Sequence, residues 1–308
     1  MPLCFLPWLV GASCDFKTIV VPSTIFGLFN SLATTAYTLE DTTPITFVLL
    51  FQRLCSILLW VLLVFIPFSI NNQRTPSAIA EDTVNKPWRP MPQKRISPPQ
   101  ARLLMCFFAL LVQLHGLFYH RVGHRQSTFL LALDIWYNTL GGADKSPVVR
   151  NAINAGGYVC FLSGALEVAL GQQLPLLVHN PLRRTALESP LDQWLLMIAG
   201  VVFSTVHLQD LYDQQGDQVR GRRTLPLVIG DAPARWTVAL AMLCWGIACP
   251  AYWRLRSELF APSLGLAYLV AWRVLTVRTE ADDRTTFLLW NCWVSTIYIM
   301  PLMAQWSR

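Results

Sequence analysis

The sequence predicts an all-α protein, a multi-pass transmembrane helical bundle of about nine helices around a central cavity. Apolar runs of roughly 15 to 25 residues recur along the 308-residue chain, and runs of this length cross a hydrocarbon core as helices. Charged residues make up 14% of the chain and hydrophobic residues 54%, against about 25% charged in an ordinary soluble domain. Length alone would allow two soluble domains. The apolar runs continue almost to the end, so residues 1–308 read as a single integral membrane domain.

The expected spans cover roughly 18 to 38, 45 to 69, 100 to 119, 126 to 140, 150 to 170, 191 to 209, 235 to 253, 259 to 277 and 286 to 305. The fourth is short and carries Asp134. The N-terminus and the loops after even-numbered spans hold about thirteen Lys and Arg and the other side about six, which places the even loops in the cytoplasm. The net charge of +6 is thereby explained by basic loops, and no nucleic-acid surface is expected. Cys4, Cys14, Cys55, Cys106, Cys160, Cys244, Cys249 and Cys292 lack paired metal spacing and read as small buried residues in a reduced setting. The first ten residues are apolar, but without a basic leader or small-residue cleavage site they do not read as a cleaved signal peptide.

Polar residues inside the spans are the next signal. Asn30 reads as a hydrogen bond to a neighbouring helix. Glu167, deep in the fifth span, must face a cavity or a partner. His115, Tyr119 and His120 read as packing or interfacial groups, and Arg273 as a snorkelling side chain. Arg150, Asn151 and Asn154 open the fifth span as either a polar mouth or a cap. Arg53, Asn30, Tyr137, Asn154 and Glu167 are candidates for lining the cavity. Trp194 reads as an interface anchor beside a surface connector, HNPLRRTALESPLDQW. The aromatic-rich ninth span reads as packing or belt residues whose π faces, in a cavity, would stabilise a cation.

One stretch carries chemistry, His207 to Gly230, HLQDLYDQQGDQVRGRRTLPLVIG. Asp210, Asp213 and Asp217 sit at i, i+3 and i+7, within a roughly 60° arc of one helical face. Carboxylates gathered this way repel one another unless a cation sits among them, and hard divalent cations prefer oxygen ligands. Arg220, Arg222 and Arg223 follow, with guanidinium groups that fork onto phosphate oxygens. Acids and bases so arranged describe a receptor for a metal-bound phosphate or diphosphate; a solvated helix end with mixed charges is the plainer alternative. On the same expected face, Ser69 to Ser97 contains Asn72, Glu81, Asp82, Lys86, Arg89, Lys94 and Arg95. Composition alone makes it a solvated Pro-rich connector, yet its order repeats the same logic, acids first and bases after.

Together these stretches resemble the UbiA superfamily of intramembrane prenyltransferases, whose members carry two aspartate-rich motifs at the cytoplasmic ends of helices two and six. DLYDQQGDQVRGRRTLPLVIG fits the family's DxxDxxGDxxxGRxTLPxxxG through Asp210, Asp213, Gly216, Asp217, Gly221, Arg222, Thr224, Leu225 and Pro226. NKPWRPMP is similar to the family's N[KR]PxRPxP, with Asp82 as the last acid of that motif. The start departs from the pattern: NDxxDxxxD becomes NNQRTPSAIAED, so metal coordination by this loop rests on Glu81 and Asp82, helped by Asn72. The NQ, ED and NKPWRP wording resembles fungal members, including membrane-bound terpene cyclases of secondary metabolism.

The resemblance implies Mg²⁺ held by Asp210, Asp213, Asp217, Glu81 and Asp82. Of these, Asp210, Asp213, Asp217 and Asp82 are the expected catalytic acids. Lys86, Arg89, Arg222, Arg223 and Asn72 would bind the diphosphate. The implied substrate is farnesyl diphosphate or a neighbouring chain length, ionised in an intramembrane cavity and cyclised with release of pyrophosphate. Two alternatives stand beside this: transfer of the prenyl group to an aromatic or polyketide acceptor, and a non-catalytic lipid-diphosphate binder or transporter. The implied setting is an endoplasmic reticulum membrane with the mouth of the site facing the cytosol.

Overall fold

The structure is a computed structural model that describes residues 16–41, 43–119, 121–175 and 189–307. A π-helical turn, Phe16–Val20, leads into α1 (Val21–Asn30), followed by α2 (Phe47–Gln73), α3 (Pro76–Asn85), α4 (Pro98–Phe118) and α5 (His124–Asp134), which runs on as a π turn over Ile135–Thr139. Next come α6 (Pro147–Leu170), α7 (Pro190–Thr205), a 3₁₀ turn over Val206–Gln209, α8 (Asp210–Arg220), α9 (Asp231–Tyr252), α10 (Ser257–Thr276) and α11 (Glu280–Trp306).

Small hydroxyl residues start the apolar runs as helices. Thr46, Thr75, Ser146, Ser189 and Thr279 cap α2, α3, α6, α7 and α11 through side-chain oxygens that accept from the first-turn N–H groups. Pro76, Pro147 and Pro190 occupy first helical positions, where the absent N–H loses no bond.

Seven segments are long and apolar enough to cross a membrane: α2, α4, α6, the continuous α7–α8 stretch, α9, α10 and α11. The first and fourth expected spans are shorter helices, Phe16–Asn30 and His124–Thr139, so nine is an approximate count. Phe47, Phe51, Leu103, Phe107, Trp236, Leu240 and Trp272 point outward and are exposed. A belt of that kind is unfavourable in water and suited to hydrocarbon, as an integral membrane protein requires.

Several expectations change. Trp194 is fully buried, stacked on Tyr252 at 5.9 Å and edge-on to Trp253, because its face of α7 packs against the end of α9. Cys55, Cys106, Cys244 and Cys292 lie exposed on apolar helices, so these thiols meet lipid; among the described cysteines Cys249 is buried. Residues 69–97 are ordered rather than a solvated connector. They contain α3 and a turn that buries Met91 and Ile96. Cys4, Cys14, the apolar N-terminus, His120 and residues 179–188 of the expected surface connector lie outside the described residues.

Three polar candidates for the cavity serve packing instead. Asn30 donates to Phe26 O and Tyr298 O, both at 2.8 Å, and ties α1 to α11. Arg53 donates to Ser31 O and pairs with Asp41 at 2.7 Å. Glu167 is 0% exposed and accepts from Gly123 N (3.0 Å), Leu174 N (3.0 Å) and Arg125 (2.6 Å), fastening the start of α5 to the end of α6. Breaking a buried pair leaves a charge without compensation, an effect reduced here because Arg125 is partly exposed. Glu167→Ala is expected to lower stability by about 2–3 kcal/mol in detergent-solubilised protein. Turnover at a permissive temperature should stay intact; a variant of unchanged stability that loses activity would return Glu167 to a functional role.

Candidate active site

The site forms where α3 docks on α8. Asn85, the last residue of α3, donates from Nδ2 to Asp213 O (2.9 Å) and accepts at Oδ1 from Gly216 N (3.0 Å). Gly216 is the contact point: a Cβ there would lie 2.2 Å from Asn85 Nδ2. At the end of α8, Gly221 takes φ 76°, the left-handed conformation that glycine adopts freely, and turns the chain so that Arg222 N donates to Asp217 O at 2.9 Å. Thus the two stretches that share acids and bases in sequence become one surface.

On that surface every acid meets a base. Asp213 accepts from Lys86 Nζ at 2.8 Å, and Asp210 from Arg150 at 2.8 Å. Both Asp82 oxygens accept from Arg89, at 2.9 and 3.1 Å. Glu81 divides its oxygens between Arg222 (2.7 Å) and Arg220 (2.9 Å), while Asp217 takes Arg222 Nη1 at 3.2 Å. Asp144, from the short turn before α6, accepts from Arg222 Nε at 2.9 Å, stands 3.2 Å from Arg220 as an ion pair, and closes the network. Burial raises the Glu81 carboxyl, but Arg222, Lys86 and Arg220 outweigh it and hold it down at about 2. For Asp82 burial wins over Arg89 and Lys86, with the Glu81 charge adding to it, and the carboxyl is pushed up to about 6.

Below this network lies a cavity of about 290 Å³. Glu81, Lys86, Arg89, Arg150, Asp213, Arg222 and Arg284 line its polar end; Phe65, Phe68, Leu130, Phe161, Phe287 and Leu288 line the rest. Of the expected diphosphate ligands, Lys86, Arg89, Arg222 and Asn72 reach the cavity. Arg223 does not. It is exposed, and its backbone N–H donates to Asp144 O at 2.8 Å. Asp82, Asp210 and Asp217 stand behind the lining and hold the arginines that form it, whereas Asp213 and Glu81 belong to the wall. Tyr137 and Asn154 line the cavity as expected, and Arg150 donates to Tyr137 Oη.

Four contributors take places that their sequence positions do not show. Arg150 had been weighed only as a mouth or cap residue. Arg220 stood in the basic run beside Arg222, and α8 directs it back to Glu81. Asp144 sits in the loop after the fourth span, which the charge count places on the same face. Arg284, near the start of α11, lies over the Tyr212 ring at 5.0 Å and the Trp88 ring at 5.9 Å.

A divalent cation fits this donor set. One oxygen on each of Asp210, Asp213 and Asp217 is buried without a hydrogen-bond partner, and so is Arg222 Nη2, a free donor for an anion. Among the described residues no three acids converge on one ligand point, so joint ligation requires side chains to turn from their basic partners.

A helical membrane bundle with a buried network of acids and arginines over an apolar chamber defines a class: integral membrane proteins that enclose a cavity with a charged end and an apolar body. The profile of the UbiA prenyltransferase family matches residues 20–293, and the chain belongs to that family. The fumagillin β-trans-bergamotene synthase of Aspergillus fumigatus is 28% identical over 80% of this chain and 80% of its own. A diterpene cyclase of Hericium erinaceus is 25% identical over 90% of this chain and 81% of its own. A UbiA homologue from Archaeoglobus fulgidus, solved bound to GPP and Mg²⁺, shares the fold with a TM-score of 0.54 at 11% identity, over 94% of this chain and 99% of that one.

The contact at Gly216 gives a direct test. Gly216→Ala must displace the Asn85 amide and break both of its bonds to α8. Overpacking and two lost buried hydrogen bonds together predict a loss of about 2–4 kcal/mol. Thermal unfolding and pyrophosphate release should both suffer; wild-type values for both would show that the two stretches do not depend on this contact.

Proposed function

We propose that the protein is a single-domain, Mg²⁺-dependent enzyme that ionises a prenyl diphosphate, farnesyl diphosphate or a neighbouring chain length, and lets the cation cyclise to a terpene with release of pyrophosphate. The observation that carries the reading is the charge balance at the mouth of the cavity. Glu81, Asp82, Asp210, Asp213 and Asp217 each meet one of Lys86, Arg89, Arg150, Arg220 and Arg222. A receptor so neutralised has little net attraction for a bare anion, and binds one favourably when cations accompany it.

Bound by Asp210, Asp213 and Asp217, with Glu81 and Asp82 nearby, Mg²⁺ would supply the charge that stabilises the departing diphosphate. Lys86, Arg89, Arg222 and Arg284 line the cavity where phosphate oxygens would sit, and Asn72 adds an amide to the same wall. Arg150, held by Asp210 and Tyr137, fixes the inner edge of that wall. The apolar walls exclude water, which would otherwise capture the cation as an alcohol, and the faces of Phe65, Phe68, Phe161 and Phe287 offer negative π charge to it. The two relatives named as a terpene synthase and a diterpene cyclase support cyclisation as the outcome.

A second reading, prenyl transfer to an aromatic or polyketide acceptor, draws on Asp134. It lines the cavity and accepts from Asn71 (2.9 Å) and Asn138 (2.6 Å), a polar spot that suits an acceptor hydroxyl. A non-catalytic lipid-diphosphate binder is the third. For the setting we propose the endoplasmic reticulum, from the likeness to fungal members, with the mouth toward the cytosol, on the distribution of basic loops.

Purified membranes incubated with Mg²⁺ and each prenyl diphosphate, without acceptor, separate these readings. The expected result is a cyclic hydrocarbon and stoichiometric pyrophosphate, both abolished by chelation. Turnover that begins only when an acceptor is added would replace cyclisation with transfer, and binding without release would leave a binder.

A further inference from the structure

The inner face of α11 carries a polar group that the diphosphate receptor does not use. Arg284, Phe287, Leu288 and Asn291 follow at i, i+3, i+4 and i+7 and all line the cavity. Asn291 is 5% exposed. Its Nδ2 donates to Phe287 O at 2.8 Å, one turn back on its own helix, and this bond fixes the amide orientation because a carbonyl accepts only from the N–H end. Its Oδ1 is buried with no hydrogen-bond partner. A polar residue in a membrane helix ordinarily bonds across to a neighbouring helix. Asn291 does not, so holding helices together does not account for it. The acceptor is instead presented beside Phe287, which stacks on Trp290 at 5.4 Å.

Position gives the oxygen a meaning. Asn291 lies seven residues beyond Arg284, about 10 Å along the helix axis. The carbon bonded to the diphosphate must stay at the Arg284 end, so Oδ1 is beyond reach of the charge first formed there. We propose that Asn291 Oδ1 is a fixed negative pole for the prenyl cation after its charge has moved down the chain, and that it decides which cyclisation product forms. This inference rests on the cyclase reading above. Ionisation breaks the C1–O bond, and its electron pair leaves with pyrophosphate. Once the C1–O bond has broken, C1 is free to move down the cavity; ring closure there uses an alkene π pair to form its new C–C bond and leaves positive charge on the far alkene carbon, at the Asn291 level. After the charge has shifted back along the ring toward the receptor, proton loss to a pyrophosphate oxygen restores a neutral alkene. Asn291 forms no covalent bond; its oriented dipole lowers the energy of one charge position relative to others, the kind of preorganised electrostatics that needs no rearrangement during reaction.

The test compares Asn291→Leu, of similar size without a dipole, with Asn291→Ser, which retains an oxygen. Pyrophosphate release and the hydrocarbon profile by gas chromatography and mass spectrometry are read on the same samples, with thermal unfolding in detergent as the folding control. Asn291→Leu is expected to leave release within about twofold of wild type, because ionisation comes first, while the share of the main wild-type product falls by at least about fivefold in favour of acyclic or less cyclised products. Asn291→Ser should lie between. An unchanged product profile in folded Asn291→Leu overturns the proposal, as does a loss of release with the product ratio preserved. Should Asn291→Leu fail to fold, an unchanged profile in Asn291→Ser overturns it equally. Failure of the wild type to form any cyclic product without acceptor would refute the underlying reading instead, so the two failures are distinct.

Discussion

Burial of charge at one end of a membrane bundle is the constraint on which this structure turns. Asp82, Asp210 and Asp217 are nearly inaccessible, and an isolated carboxylate in such a place is unstable unless paired. Each has a guanidinium partner, and the partners come from different segments: Arg89 from the turn after α3, Arg150 from α6, Arg222 from the turn after α8. Asp210–Arg150 ties α8 to α6 and Glu81–Arg222 ties α3 to the turn after α8, while Asp82–Arg89 and Asp217–Arg222 are local pairs. Pairing also divides the acids into two kinds. Asp82, Asp210 and Asp217 hold arginines in the cavity wall, while Asp213 stands in the wall itself, with one oxygen on Lys86 and the other without a partner.

The break between α7 and α8 serves the same arrangement. A continuous α-helix from Pro190 would carry its axis straight through; the 3₁₀ turn at Val206–Gln209 tightens the winding before Asp210. His207 fixes that turn by bonding Thr237 at 2.9 Å, and Asn151 approaches its other ring nitrogen at 3.4 Å. The fold recurs in a solved UbiA homologue at 11% identity, because the apolar positions of a membrane bundle need only fill space in the right pattern.

The fold was legible because a bilayer leaves few choices: long apolar runs must be helices, and basic loops give their direction. The Asp210–Asp213–Asp217 face was legible because helical spacing makes neighbours of residues three and four apart. What the sequence could not show was which of them would be turned outward. Arg150 and Asp144 come from other segments, and their roles rest on tertiary placement alone. Glu167 illustrates the reverse error. An intramembrane acid pointed to function, yet Glu167, at the far end of α6, is held by two backbone N–H groups and by Arg125 of α5. Trp194 was misjudged for a similar reason, since an aromatic near a helix start fits an interface belt or a buried corner equally well until the neighbouring helix is known.

The central claim is that, of the two acids in the cavity wall, Asp213 with its unpartnered oxygen contributes more than Glu81, whose oxygens are both held by arginines. It is tested most directly by pyrophosphate release from Asp213→Ala and Glu81→Ala, measured with saturating Mg²⁺ and prenyl diphosphate. Both Glu81 oxygens are occupied by Arg220 and Arg222, whereas Asp213 presents one without a partner. Removing Asp213 should reduce release by about 10²–10³-fold, the scale of losing a group that stabilises developing charge, and removing Glu81 by roughly tenfold. Equal or greater damage from Glu81→Ala would contradict the account.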